Sequence, residues 1–223
     1  MPYKALRKNP SAPQVAPEII AALREIPVAA LSDNMHRNIG TTGLQPYHHC
    51  VDGTMAGTAV TARSRGGDNL TYLRALEFCR PGDVLVVDAG GDLANAVVGG
   101  ILSFYAAQIG VVGVVIDGAI RDVAEIRARE FPVYARGVTH RGPYKDGPGE
   151  INVPISVGGM VVNPGDIVVG DQDGLMAFAR DEAGLLIEKA RAHLATEAET
   201  IRAMKEGRWD RSFIDALEAR CNN

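Results

Sequence analysis

A chain of 223 residues, 46% of them hydrophobic, is long enough to bury a full core, and one domain with terminal extensions is the simplest organisation. A net charge of −4, with no run of five like charges, sets aside a broad phosphate-binding face, and 5% aromatic residues set aside base-stacking platforms; nucleic acid is not an expected partner. Cys50, Cys79 and Cys221 are odd in number and widely spaced, which fits neither a disulfide scaffold nor a zinc knuckle. No apolar run long enough to span a membrane is present, no secretory leader is expected, and the expected location is the cytoplasm.

Residues 1–16, rich in Pro and polar groups, read as a flexible arm. Pro17 suits a first helical turn, with Ile19, Ile20, Leu23 and Ile26 at helical spacing. Ser32 reads as the N-cap of a short helix reaching Ile39, and 40–53 as loop. An alternating, Thr- and Val-rich strand is predicted over 55–64, then a helix through Leu70, Leu73 and Leu76 to Arg80. Pro81-Gly82-Asp83 is a tight turn before a buried strand at 84–87. Gly99-Gly100 lead into a helix, 111–116 is a second buried strand, Asp117-Gly118 turn the chain, and Arg121-Asp122 open a helix to about Arg129.

Strands then cluster at 133–135, 151–157, 160–162, 167–169 and 175–179, and Pro164-Gly165-Asp166 repeats the earlier turn. Residues 181–206 form one amphipathic helix ended by Gly207, with a last helix at 212–220. Helix–strand alternation followed by clustered strands predicts a layered α/β sandwich with mixed sheets. The catalytic domain would span 17–180, and 181–223 would be a C-terminal helical extension.

Three features bear on chemistry: Asp88 and its following glycines, Gly99-Gly100 entering a helix, and Arg121-Asp122 after a strand. Ligands in α/β sheets sit beyond the carboxyl ends of strands, and free N–H groups at a helix start attract anions. Gly99, Gly100, Ile101 and Leu102 can therefore cradle a carboxylate, although a Gly pair before a helix also serves as plain turn chemistry. Arg121 offers a planar fork for a carboxylate or carbonyl oxygen, and Asp122 a hard oxygen for a cation. The alternative is a first-turn Asp on a helix dipole beside a solvated Arg.

Adjacent His48 and His49 would face opposite sides of a strand, so solvated loop histidines are expected, and His140 lies in a loop. Lys4, Lys8, Lys145, Lys189 and Lys205 lie in the tail, a loop or polar helix faces, which disfavours a Schiff base. Nucleophile-elbow and P-loop motifs are absent.

The segment PGDVLVVDAGGDLANAVVGGILSFYAAQIGVVGVVIDGAIRDV resembles the core signature of the regulator-of-ribonuclease-activity A superfamily, which includes metal-dependent 4-hydroxy-4-methyl-2-oxoglutarate aldolases. ALSDNM, MAGTAVTAR, FPVYARG and VPISVGGMVVNPGDIVVGDQDGLMAF extend the likeness over about residues 31–178. The resemblance implies a swivelling β/β/α fold and a trimer or trimer pair. It also implies a pyruvate carboxylate on Gly99, Gly100, Ile101 and Leu102, a 2-oxo oxygen on Arg121, and a divalent cation, Mg²⁺ or Mn²⁺, on Asp122. A Glu from the C-terminal helix of a neighbouring subunit would hold a water on that cation; Glu197 fits better than Glu199. The chain departs from the aldolases at Gly100, where they carry Asp; Asp92 or Asp33 is a candidate for the same space. The expected activity is a metal-dependent lyase that releases pyruvate from a 2-oxo acid, by retro-aldol cleavage or oxaloacetate decarboxylation. The alternative is a non-catalytic protein that regulates a ribonuclease.

Overall fold

The computed structural model describes residues 6–49 and 53–221. In chain order its elements are β1 (Leu6–Lys8), α1 (Pro17–Arg24), α2 (Val28–Asp33), β2 (Gln45–Pro46), β3 (Met55–Ser64), α3 (Leu70–Ala75), β4 (Asp83–Asp88), β5 (Ala96–Val98) and α4 (Gly100–Gln108). There follow β6 (Gly113–Ile120), α5 (Val123–Arg127), β7 (Val133–Val138), β8 (Gly149–Ile151), β9 (Ile155–Val157), β10 (Met160–Val162), β11 (Ile167–Gly170), β12 (Leu175–Phe178), α6 (Ala183–Lys205) and α7 (Ser212–Cys221).

The continuous apolar runs make strands buried on both faces. In β4, Val84 and Val86 point into one core while Leu85 and Val87 point into the other; in β6, Val115 and Val114 divide the same way. Full burial of each such side chain is worth about 1.5–3 kcal/mol, so these strands anchor the sheet. β3, β4, β6 and β7 are parallel neighbours. β3 is long enough to pair on its other side with two antiparallel strands, β11 along its first half and β8 along its last residues. One core holds Tyr72 of α3, Ala106 of α4 and Ile126 of α5; the other holds the β9–β12 layer with α1, α2 and the first half of α6. The result is the layered α/β sandwich with a mixed sheet that the sequence predicts.

The two Pro-Gly-Asp turns share one device. Asp83 Oδ2 accepts the N–H of Arg80 at 2.8 Å, and Asp166 Oδ2 accepts that of Asn163 at 2.8 Å.

Several expectations are corrected. The described part of the arm is tied down: β1 runs parallel to β8, Asn9 and Asn152 exchange side-chain-to-backbone bonds, and Gln14 donates to Asp83 Oδ1 at 2.9 Å. Ser32 lies inside α2, which starts after Pro27 and stops at Asp33, because His36 and Arg37 adopt left-handed backbone. Asp117-Gly118 do not turn the chain. β6 passes through them with a register shift between Ile116 and Ala119, so that β4 pairs with its first part and β5 with its end. Asn152, at φ 54°, divides the expected 151–157 strand into β8 and β9. His48 is buried, not solvated, and its Nδ1 meets the backbone of Val133. Cys50 and Lys4 lie outside the described residues.

Candidate active site at the start of α4

The site forms where β6 ends. Ile120 still pairs with Val98, and the N–H of Arg121 donates to Val98 O at 2.9 Å. Asp122 then adopts φ 57°, ψ 39°, a left-handed conformation that Asp tolerates better than most side chains. That reversal starts α5, with Asp122 O accepting the N–H of Ile126. It sends the Asp122 carboxylate back to the first turn of α4, where Oδ2 accepts the N–H of Gly100 at 3.0 Å. Arg121 Nε lies 3.6 Å from the same oxygen.

Both glycines are approached closely by side chains of the 121–125 segment. A Cβ at Gly99, whose backbone is extended, would collide with Asp122 Oδ2 and crowd Arg121. A Cβ at Gly100 would collide with Glu125 Oε2. By position, the amides of Ile101 and Leu102 have no acceptor within the helix, so the first turn of α4 offers N–H groups to an anion. The Arg121 and Asp122 side chains are 42% and 39% exposed, open enough for a small solute to reach. The 139–147 loop walls the far side: Gly142 lies against Arg121 Nη1, and Asn95 Nδ2 donates to Gly142 O at 2.6 Å. Asp68, fully buried, accepts the N–H groups of Asp146 at 2.6 Å and Gly147 at 3.0 Å, which holds that loop in place.

The structure brings together Gly99, Gly100, Ile101, Leu102, Arg121 and Asp122, but not the other candidates. Asp88 and Asp92 bond to backbone within their own turn, at Gly90 and Ala94. Asp33 pairs with Arg37 at 2.8 Å and faces His193 at 3.7 Å. Glu197 lies 3.1 Å from His193 on α6, and Glu199 pairs with Arg202. The carboxylate in the space beside Gly100 is instead Glu125, which sequence reading missed. The signal was its spacing: one helical turn after Asp122, it faces the same way.

Among the described residues, no group of three His, Cys, Asp or Glu side chains is placed to hold a metal ion. The donor chemistry near Asp122 is hard carboxylate oxygen without nitrogen or sulfur. This suits Mg²⁺ or Mn²⁺, which take few protein carboxylates and keep several waters. No helix among the described residues is long and apolar enough to cross a membrane.

Fold and site define a mixed α/β protein with an Arg-Asp pair set against a glycine-led helix start. Residues 28–177 match the RraA-like family model described as Aldolase/RraA, and the chain belongs to that family. It is 36% identical over 191 residues to a Halalkalibacterium halodurans protein provisionally named a 4-hydroxy-4-methyl-2-oxoglutarate aldolase, covering 85% of this chain and 90% of that one. A Thermus thermophilus protein that bears the name without qualification is 38% identical over 118 residues, 53% of this chain and 72% of its own. Among solved structures, "the RNA-processing inhibitor RraA from Thermus thermophilis" superposes with a TM-score of 0.63 at 34% identity, covering 69% of this chain and 93% of that chain.

Proposed function

We propose that the chain is a divalent-metal-dependent lyase that breaks a carbon–carbon bond of a 2-oxo acid and leaves pyruvate. The observation that carries this reading is the meeting of three groups at Gly100: its own amide, the Asp122 carboxylate that accepts from it, and the Glu125 carboxylate in the place of its missing side chain.

The substrate carboxylate would take the N–H groups of the first turn of α4. Arg121 would direct its guanidinium at the 2-oxo oxygen, where negative charge grows as the bond breaks. Asp122 would hold the cation, which when bound supplies a Lewis acid beside that oxygen. Glu125 would manage the proton. In retro-aldol cleavage it takes one from the 4-hydroxyl as the C3–C4 bond breaks and returns it to C3 of the pyruvate enolate; in oxaloacetate decarboxylation, where carbon dioxide leaves, it relays one from solvent to C3. Gly100 for Asp therefore relocates a carboxylate and does not delete it.

The C-terminal segment and the outer face of α4 support self-association as a trimer or hexamer. Ile101 is 79% exposed, with Phe104, Tyr105, Trp209, Phe213 and Leu217 also exposed. Glu197 is then available to a neighbouring subunit's site.

Pyruvate release from oxaloacetate, with Mg²⁺ and with EDTA, tests the activity. EDTA-sensitive release is expected. Its absence with oxaloacetate and with 4-hydroxy-4-methyl-2-oxoglutarate favours the second reading, regulation of a ribonuclease, which the name of the Thermus structure supports. Light scattering at micromolar concentration is expected to give three or six chains.

A further inference from the structure

We infer that Arg129 is a positioning residue that holds the Glu125 carboxylate beside Gly100; the inference rests on the reading of Glu125 as the proton-handling group. Glu125 sits on a five-residue helix with its side chain 60% exposed, and an unconstrained Glu in that setting samples many rotamers. Arg129 is held on two sides and reaches Glu125 on a third. Its Nη1 donates to Gly100 O at 2.6 Å, its guanidinium lies 5.1 Å from the centroid of the Phe104 ring, and its Nη2 faces Glu125 Oε2 at 3.6 Å. Its backbone lies just past the end of α5, where the N–H bonds to Ile126 O, so the side chain returns along the helix toward α4. Gly100 O also accepts from Ser103 Oγ at 2.9 Å, and the carbonyl that anchors Arg129 is itself held by its helix.

One guanidinium thus joins the residue that lacks a side chain to the residue whose carboxylate fills that space. Loss of the link would leave Glu125 present but misplaced, and small misplacements of a reacting group are costly in rate. Arg129 bonds the carbonyl side of the peptide whose N–H is Ile101's and makes no ion pair with Asp122, so its effect should fall mainly on kcat, with a smaller one on KM.

The test is a double-mutant cycle on oxaloacetate decarboxylation at saturating Mg²⁺, with crystal structures of the variants. Glu125→Gln should lower kcat by about 10²-fold. Arg129→Gln should lower it about tenfold with KM within about twofold, and Arg129→Lys should recover part of the loss. In the Glu125→Gln background, Arg129→Gln should change kcat by less than about twofold. An equal loss in both backgrounds would mean that Arg129 acts on the fold and would overturn the inference. If Glu125→Gln is itself inert, the reading of Glu125 fails, while the positioning remains checkable in the crystals. There the Glu125 carboxylate should leave Gly100 in Arg129→Gln; if it stays, Arg129 does not position it.

Discussion

The amide of Gly100 and the carboxylate of Asp122 are joined at 3.0 Å across 22 residues of chain, so one oxygen both caps α4 and marks the proposed cation site. The two roles separate by substitution. Asp122→Asn keeps an acceptor oxygen and the tolerance for left-handed backbone, and its melting temperature should stay close to wild type. Its Mg²⁺-dependent activity should fall by about 10² or more, because the charge is gone. Asp122→Ala should also lose about 1 kcal/mol of stability with the cap. Full Mg²⁺-dependent activity in Asp122→Asn would leave capping as the only role of this residue.

Gly100 and Glu125 occupy one space in turn. Glu125→Ala should lower kcat by about 10²-fold, and adding Gly100→Asp should restore activity to within about tenfold of wild type. In wild type, Gly100→Asp alone should push the exposed Glu125 aside without unfolding the chain. Kinetics of the three variants decide it; a double variant no better than Glu125→Ala would show that a carboxylate there does nothing.

Arg121→Lys keeps the charge and loses the planar fork. At a site where two donors meet a 2-oxo acid, kcat/KM should drop at least about tenfold, ~1.4 kcal/mol. A ratio within twofold of wild type would remove Arg121 from substrate binding.

His48 makes stability depend on pH. Burial, the larger cause, holds its pKa below the ordinary imidazole value, against an opposing contribution from the bond to Val133. The unfolded chain therefore binds a proton below about pH 6.5 that the folded chain refuses, and stability falls as the pH drops from there toward the depressed folded value. The ring also packs edge-on against Tyr134 at 5.0 Å, so His48→Asn should be less stable at every pH. Urea unfolding at about pH 7.5 and about pH 5.5 should show a smaller difference in the variant than in wild type. An undiminished difference would assign the pH dependence to other groups.

The strands predicted at 84–87 and 111–116, found at Asp83–Asp88 and Gly113–Ile120, were legible in the sequence because apolar runs between turn signals leave few choices of structure. The glycine-led start of α4 and the Arg121-Asp122 pair beyond β6 were legible for a related reason: a glycine pair opening a helix and an Arg-Asp pair after a strand are local patterns, while the roles proposed for them come from the family resemblance. The paths of β5 and β1, the passage of β6 through Asp117-Gly118, and the burial of His48 were not legible. Asp117 looks like a turn residue until Arg136 Nε and the N–H of Gly158 are seen to bond its two oxygens, at 2.5 and 2.7 Å. Glu125 was only partly legible: its spacing from Asp122 in RDVAEI puts both on one side, but a solvated first-turn acid has the same spacing. The sequence by itself determined the layered α/β class, through periodicity, and set a glycine pair at a helix start and Arg121-Asp122 after a strand, through local backbone chemistry. Only the tertiary structure decided that the Glu125 side chain takes the space left by Gly100, because that contact depends on how the first turn of α4 packs against α5.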